Sequence, residues 1–170
     1  MRAPLLQQAS ARLVVGIGEL AVGDCDGTIV THALGSCIAV CIWDPETRIG
    51  GMLHFLLPES RINPDRAERQ PAAFADTGIP LLFQTAYARG LLKSRAVVSL
   101  VGGAEISREA QEGLLNVGRR NTLAARNLLW RNGVLIRKED VGGNRARTVS
   151  LSLGDGRVVV SAAGESGREL

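Results

Sequence analysis

A cysteine and a histidine stand seventeen positions apart in the stretch THALGSCIAVCIWDPETRIGGMLH, Thr31 to His54. A thiol beside an imidazole is the minimum equipment for a sulfur nucleophile: the ring takes the proton and the thiolate attacks an electrophilic carbon. Cys37 follows Gly35-Ser36. Such small residues let the backbone turn tightly and leave N–H groups pointing at whatever binds beside the sulfur, as an oxyanion site requires. A Cys–His pair also needs a third group to fix the ring. Thr31, at the end of the strand before the Gly-Ser turn, offers a hydroxyl. His32 is a competing base, but its place before Ala33-Leu34 fits solvent exposure better. The plainer readings are that free cysteines act as small buried hydrophobes and that a histidine in an apolar strand is a satisfied core residue. Cys41, mid-strand among apolar residues, fits the plainer reading, and Cys25, in the turn cluster Gly23-Asp-Cys-Asp-Gly27, reads as a bystander.

The elements around the pair decide whether it meets. Cys37 to Trp43 is apolar without alternation, as in a strand buried on both faces. Asp44-Pro-Glu-Thr47 is a turn. Arg48 to Leu57 is a second apolar strand, with Gly50-Gly51 allowing close approach. The two form an antiparallel hairpin. With its centre near Glu46, Cys37 falls opposite position 54 or 55, beside His54.

The rest of the chain supplies the frame. Leu13–Ile17 and Thr28–Thr31 read as strands. Pro58 to Ala75, rich in Pro and Arg, reads as a long surface loop, either one that carries binding or a charge-rich spacer with no role. A helix capped by Asp76 or Thr77 runs to about Leu92, with Pro80 in its first turn. A strand over Ala96–Val101 ends in Gly102-Gly103. A second helix, Gly118 to Arg131, is expected to turn Leu123, Ala124, Leu128 and Trp130 toward the core, and Asn132-Gly133 ends it. Strands follow over 134–138, 148–153 and 157–161, the last two as a hairpin about Gly154-Asp-Gly156. Gly102-Gly103-Ala104 and Gly142-Gly143-Asn144 read as turns needing positive φ, with pocket lining as the alternative. This order predicts an α/β layered sandwich of mostly antiparallel or mixed β-sheet with helices packed on it. One domain is expected over residues 1–170, its core about 13–162, with a loose lead-in and a disordered tail from Ala162.

Composition removes other classes. Hydrophobic residues make 45% and charged residues 22% of the chain, as in an ordinary globular domain. The net charge of +3 is spread along the chain, with Lys93 and Lys138 the only lysines. That is no nucleic-acid footprint. No apolar run of about twenty residues reads as a membrane span, and the start lacks the apolar segment of a signal peptide. Three cysteines without CxxC spacing argue for a reducing cytoplasm rather than a disulfide framework, and two histidines argue against zinc.

The ordered set Thr31-(x)3-Gly35-Ser36-Cys37, Asp44-Pro45, His54 and Leu57-Pro58 resembles the CheD family of chemoreceptor glutamine deamidases. The likeness continues through Ala75-Asp76-Thr77, Gly102-Gly103-Ala104, Asn116-(x)-Gly118-(x)2-Asn121 and Gly142-Gly143-Asn144-Arg145-Ala146-Arg147, so it spans about Leu13 to Val160. The resemblance implies Cys37 as catalytic cysteine, His54 as its histidine and Thr31 as the third member. It implies a fold related to the deamidating bacterial cytotoxins and needs no metal or cofactor. The implied substrate is a glutamine on the cytoplasmic helices of a methyl-accepting chemotaxis receptor, converted to glutamate. Some members carry a Met-Phe pair after Gly-Gly-Ala, in a surface that binds the phosphatase CheC. Here Glu105-Ile106-Ser107 stands there, so CheC binding does not carry over on those residues. Two other functions fit the same residues less fully: a receptor- or phosphatase-binding adaptor, and a general cysteine hydrolase.

Overall fold

The computed structural model describes residues 11–107 and 116–170. The expected loose lead-in lies almost wholly outside the described residues. Among the described residues ten strands form two five-stranded sheets. The strands are β1 (Arg12–Val15), β2 (Glu19–Gly23), β3 (Thr28–Leu34), β4 (Ile38–Trp43), β5 (Gly50–Phe55), β6 (Val97–Gly102), β7 (Ile136–Val141), β8 (Arg147–Ser152), β9 (Val158–Ala162) and β10 (Arg168–Glu169). The helices are α1 (Pro64–Arg69), α2 (Ala75–Tyr87) and α3 (Val117–Arg131). One sheet runs β1-β3-β8-β9-β10 and the other β2-β5-β4-β6-β7. Each is mixed: β1–β3 and β6–β7 are parallel, the rest antiparallel. The predicted layered α/β sandwich is what forms, with two sheets in face-to-face contact and α2 and α3 on the outer face of the second. Among the described residues no helix is long and apolar enough to cross a membrane.

The unbroken apolar run of β4 follows from this layering. Ile38, Val40 and Ile42 point to the helices and pack with Leu53, Phe55, Leu82 and Leu100. Cys37, Ala39 and Cys41 point the other way and pack with Met52, Ile29, Val149 and Leu151 between the sheets. Alternate residues thus enter two different cores, which is why no polar face appears.

Several expectations need correction. Residues 58–75 are not a plain surface loop: two short 3₁₀ turns flank α1, and Ala72, Ala73 and Phe74 are buried. Asn63 caps α1 by accepting from Arg66 N–H at 3.0 Å, Pro64 opens it, and Ser60 donates to the Asp76 carboxylate. A Pro- and Arg-rich composition hides such one-turn elements because none has room for a repeating pattern. Helix α2 begins at Ala75, so Pro80 sits inside it rather than in its first turn. The inward face of α3 is Gly118, Asn121, Thr122, Ala125 and Leu129, while Leu123 and Trp130 are exposed. Polar residues took the inward face there because they bind buried backbone, described below. The tail is not loose over its described length, since β10 pairs with β9 and Leu170 packs on the inter-sheet core.

Candidate active site

Three elements deliver the predicted residues to one place between the sheets. The β4–β5 register pairs Ala39 with His54 and Ile38 with Phe55. Cys37 is two residues before Ala39 and shares its face, so it is the diagonal neighbour of His54, at a spacing of roughly 7 Å between backbones that side chains can span. The hairpin count placed the pair correctly to within two residues. The shift arises because Trp43 pairs with Gly50, which centres the turn between Glu46 and Thr47. Asp44 holds this wider turn: its buried carboxylate accepts from Glu46 N–H, Leu92 N–H and the Arg95 guanidinium, which keeps it well below the usual carboxylate range.

Thr31 reaches the pair from the opposite sheet. It is fully buried on β3, beside Val15 of β1. Its Oγ1 lies 2.7 Å from the Val15 carbonyl oxygen and 2.8 Å from His54 Nδ1. A carbonyl can only accept, so the single hydroxyl hydrogen goes to Val15. Oγ1 must then accept from Nδ1–H. This fixes the tautomer: His54 carries its proton on Nδ1 and presents a bare lone pair at Nε2. That Nε2 is buried without a hydrogen-bond partner. An unpartnered buried ring nitrogen of this kind is able to accept a proton.

Both groups rest neutral. Burial drives the His54 pKa down to about 4 and pushes the Cys37 thiol up, opposed only by the residue's own backbone N–H. Cys41, two residues beyond Ala39, is driven to about 12 by burial alone and is inert packing. His54 predicts a pH dependence of stability. Its folded pKa is depressed from about 6.5, so the unfolded chain takes the proton first as pH falls. The full contribution is present above pH 6.5 and is lost as pH falls toward 4. Between pH 7.5 and 4.5, urea unfolding should show wild type losing about 2–3 kcal/mol more than His54→Gln, which cannot titrate. Equal losses would contradict a buried neutral imidazole.

The turn before the sulfur is held by its carbonyls. Gly35 O accepts from Ala104 N–H at 2.8 Å and Cys37 O from Gly103 N–H at 2.8 Å. Ser36 O accepts from the Asn121 side chain at 2.9 Å. Neither Ser36 N–H nor Cys37 N–H takes part in a backbone hydrogen bond among the described residues. A bulge in β3 between Thr31 and Leu34, with Ala33 at φ +57°, swings the chain into this turn. His32 follows Thr31 on the strand and so takes the opposite face, where it is exposed as expected and 3.4 Å from the Thr148 hydroxyl; it is not part of the cluster. Cys25 is exposed in its turn, as a bystander would be.

A cavity of about 330 Å³ opens on Gly35, Ser36 and Cys37, closed on its other side by Ala104 to Ser107 and Val117. Its walls are mainly apolar carbon. Gly102 and Gly103 have φ of +120° and +66°, and Gly142 and Gly143 +82° and +75°. Both predicted positive-φ turns therefore form. The second hangs on the first, through Gly142 N–H to Gly102 O and Glu105 N–H to Gly143 O. Glu105 also accepts from Arg119 N–H in the first turn of α3, while Ile106 lies over Gly35. Asn121 is the residue that sequence reasoning left without a role. Its signal was present, as a polar residue one turn beyond Gly118 on a helix, but its partners are main-chain atoms and carry no pattern.

Residues 56–162 match the family model described as CheD chemotactic sensory transduction. A protein of Anaeromyxobacter dehalogenans named "Probable chemoreceptor glutamine deamidase CheD 2" is 52% identical over 151 residues, 88% of this chain and 94% of that protein. One of Syntrophus aciditrophicus, named "Probable chemoreceptor glutamine deamidase CheD 1", is 44% identical over 93% of this chain and 98% of its own length. A third, "Probable chemoreceptor glutamine deamidase CheD" of Solibacter usitatus, is 41% identical over 91% and 90%.

Proposed function

Because this chain belongs to the CheD family, we propose that it is a hydrolase of protein glutamine, converting glutamine side chains of chemoreceptors to glutamate through Cys37, His54 and Thr31. The observation that carries the proposal is the fixed tautomer of His54. Val15 O takes the Thr31 hydroxyl hydrogen, Thr31 accepts from Nδ1–H, and Nε2 is left buried without a partner on the strand position diagonal to Cys37.

The parts assemble into a balanced reaction. With a glutamine carboxamide in the cavity, Nε2 takes the Cys37 proton as sulfur attacks the amide carbon. The pair rests neutral, so proton transfer accompanies attack rather than preceding it. The oxygen of the tetrahedral intermediate is met by the N–H groups of Ser36 and Cys37. The His54 imidazolium returns its proton to the amide nitrogen, ammonia leaves and a thioester remains. Nε2 then takes a proton from water, hydroxide attacks the thioester, and the thiol is re-formed with the glutamate. Only water is consumed, and no metal or cofactor enters. The mainly apolar walls suit the methylene stem of a neutral glutamine, and a receptor's cytoplasmic helices are the substrate this reading assigns, which places the protein in the cytoplasm.

The test is direct. Purified protein is incubated with receptor cytoplasmic fragments, and glutamine-bearing peptides are followed by mass spectrometry for a gain of about one dalton. Wild type should convert specific glutamines and Cys37→Ala should convert none. A receptor left unchanged by wild type, or changed equally by Cys37→Ala, would refute the reading and favour a binding protein instead.

A further inference from the structure

Asn121 faces inward from α3 and is fully buried. Both of its Nδ2 hydrogens are used, on Ser36 O and on Leu56 O, each at 2.9 Å. Two carbonyls can only accept, so the amide has one orientation, and its Oδ1 is left buried without a partner. An unmet buried acceptor costs about 1–3 kcal/mol. The arrangement therefore persists for what the nitrogen holds, not for what the oxygen gains.

What it holds is one peptide plane and one strand end. Among the described residues no peptide is cis, so each C=O points opposite to the N–H of the next residue. Gly35 O is held by Ala104 N–H, which aims Ser36 N–H, and Cys37 O is held by Gly103 N–H. The plane between them, Ser36 C=O with Cys37 N–H, is held by the Asn121 side chain. Its second acceptor, Leu56, is the first residue beyond β5 and two past His54. The β4–β5 ladder ends at Ile38 and Phe55. One step further, where Cys37 stands opposite Leu56, the Asn121 amide takes the place of the ladder. Gly118 makes this reach feasible: a Cβ there would lie 2.4 Å from Gly103 O, so only glycine lets α3 approach so closely.

We propose that Asn121 is the positioning residue of the oxyanion site: by holding Ser36 C=O it aims Cys37 N–H at the substrate's carboxamide oxygen, and by holding Leu56 C=O it sets that donor's distance from His54. The inference rests on Cys37 being the nucleophile. Asn121 does not touch the substrate. It acts through the peptide it fixes, and it polarises that peptide so that the N–H donates more strongly.

The experiment compares steady-state deamidation of a receptor cytoplasmic fragment by wild type, Asn121→Ala, Thr122→Ala and Cys37→Ala, with melting temperatures for each. Thr122 is the matched control, a buried neighbour whose hydroxyl donates to Gly118 O of its own helix. Removing an oxyanion donor outright costs about 10²–10³-fold. Loosening one should lower kcat in Asn121→Ala about 10- to 100-fold with KM within twofold, since the bond is made in the transition state. Thr122→Ala should keep kcat within twofold whatever its melting temperature. Should Asn121→Ala not fold, Asn121→Ser, whose single short hydroxyl cannot reach both carbonyls, carries the same comparison. The proposal is overturned if the Asn121 variant keeps kcat within twofold, if only KM changes, or if Thr122→Ala loses as much kcat. Those outcomes leave the nucleophile reading intact as long as Cys37→Ala is inactive, whereas turnover by Cys37→Ala refutes that reading separately.

Discussion

Deamidation by Thr31→Val is expected to be about 10²–10³-fold slower in kcat, with Thr31→Ser within tenfold of wild type and His54→Gln slower than either. The argument rests on one hydrogen. In the wild type the Thr31 hydroxyl spends it on Val15 O, 2.7 Å away, and so can only accept from His54 Nδ1 at 2.8 Å. Valine keeps the volume but removes both functions. A proton on Nδ1 would then be buried against a methyl group, an unmet donor costing about 1–3 kcal/mol. The ring escapes by moving the proton to Nε2, where it points toward the sulfur side. A histidine in that tautomer donates where it should accept, and no base remains. Loss of the correct tautomer is known to cost a comparable triad about 10⁴-fold. The smaller figure here reflects a hydroxyl partner, which orients the ring but places no full charge beside the imidazolium. His54→Gln removes the base altogether, and general-base catalysis contributes about 10²–10⁴-fold. The readout is initial rate of ammonia release from a receptor fragment at pH 7.5. Thr31→Val turning over at the wild-type rate would mean that another group orients the ring.

How much of this was legible in the sequence depends on what kind of partner each residue has. Cys37 and His54 could be brought together by counting, because a hairpin converts sequence distance into register. The count was short because the loop from Asp44 to Ile49 is wider than a tight turn and is held by the Asp44 side chain to Leu92 and Arg95, 48 and 51 residues away. Thr31 was legible as a hydroxyl near the turn, but its hold on His54 bridges two sheets. No local pattern states which sheets face each other. The exposure of His32 was legible, but the bulge that follows it rests on Ala33 at φ +57°, a conformation that a non-glycine residue does not advertise. Asn121 was hidden for the opposite reason. Periodicity arguments assign polar residues to the solvent face of a helix, and Leu123 and Trp130 were sent inward in its stead. In the fold, the inward face of α3 is chosen by what lets it approach the Gly102-Gly103 turn, so Gly118 and Asn121 win over larger apolar residues. Among the described residues, the buried side-chain atoms left without a partner are His54 Nε2 and Asn121 Oδ1, one on each of the two residues these constraints place.

These constraints make Gly102 the most sensitive backbone position near the sulfur. A Cβ at Gly102 would lie 2.2 Å from Cys37 O and 3.3 Å from Ile38 Cα, and both are main-chain atoms that cannot rotate away. Its φ of +120° adds strain of about 1–3 kcal/mol for any L side chain. Gly102→Ala is expected to lose about 3–5 kcal/mol of stability, the range of severe single substitutions, and whatever folds should have no measurable deamidation. The Cys37 carbonyl must move, and with it the Gly103 N–H contact that helps set the nucleophile turn. Gly156 separates the two effects. A Cβ there would meet the Trp43 indole at 2.2 Å, also at positive φ, at the far end of β4 from Cys37. Gly156→Ala should therefore cost comparable stability in urea unfolding yet keep kcat within about threefold for the folded fraction. Gly142→Ala, with φ +82° and nothing within 4 Å, pays the strain alone and should lose only about 1–2 kcal/mol. If Gly102→Ala and Gly156→Ala lost activity only in proportion to the protein unfolded, the Gly-Gly turn would be scaffold. Activity lost from the folded Gly102→Ala protein alone would show that the turn is part of the machinery that aims Cys37.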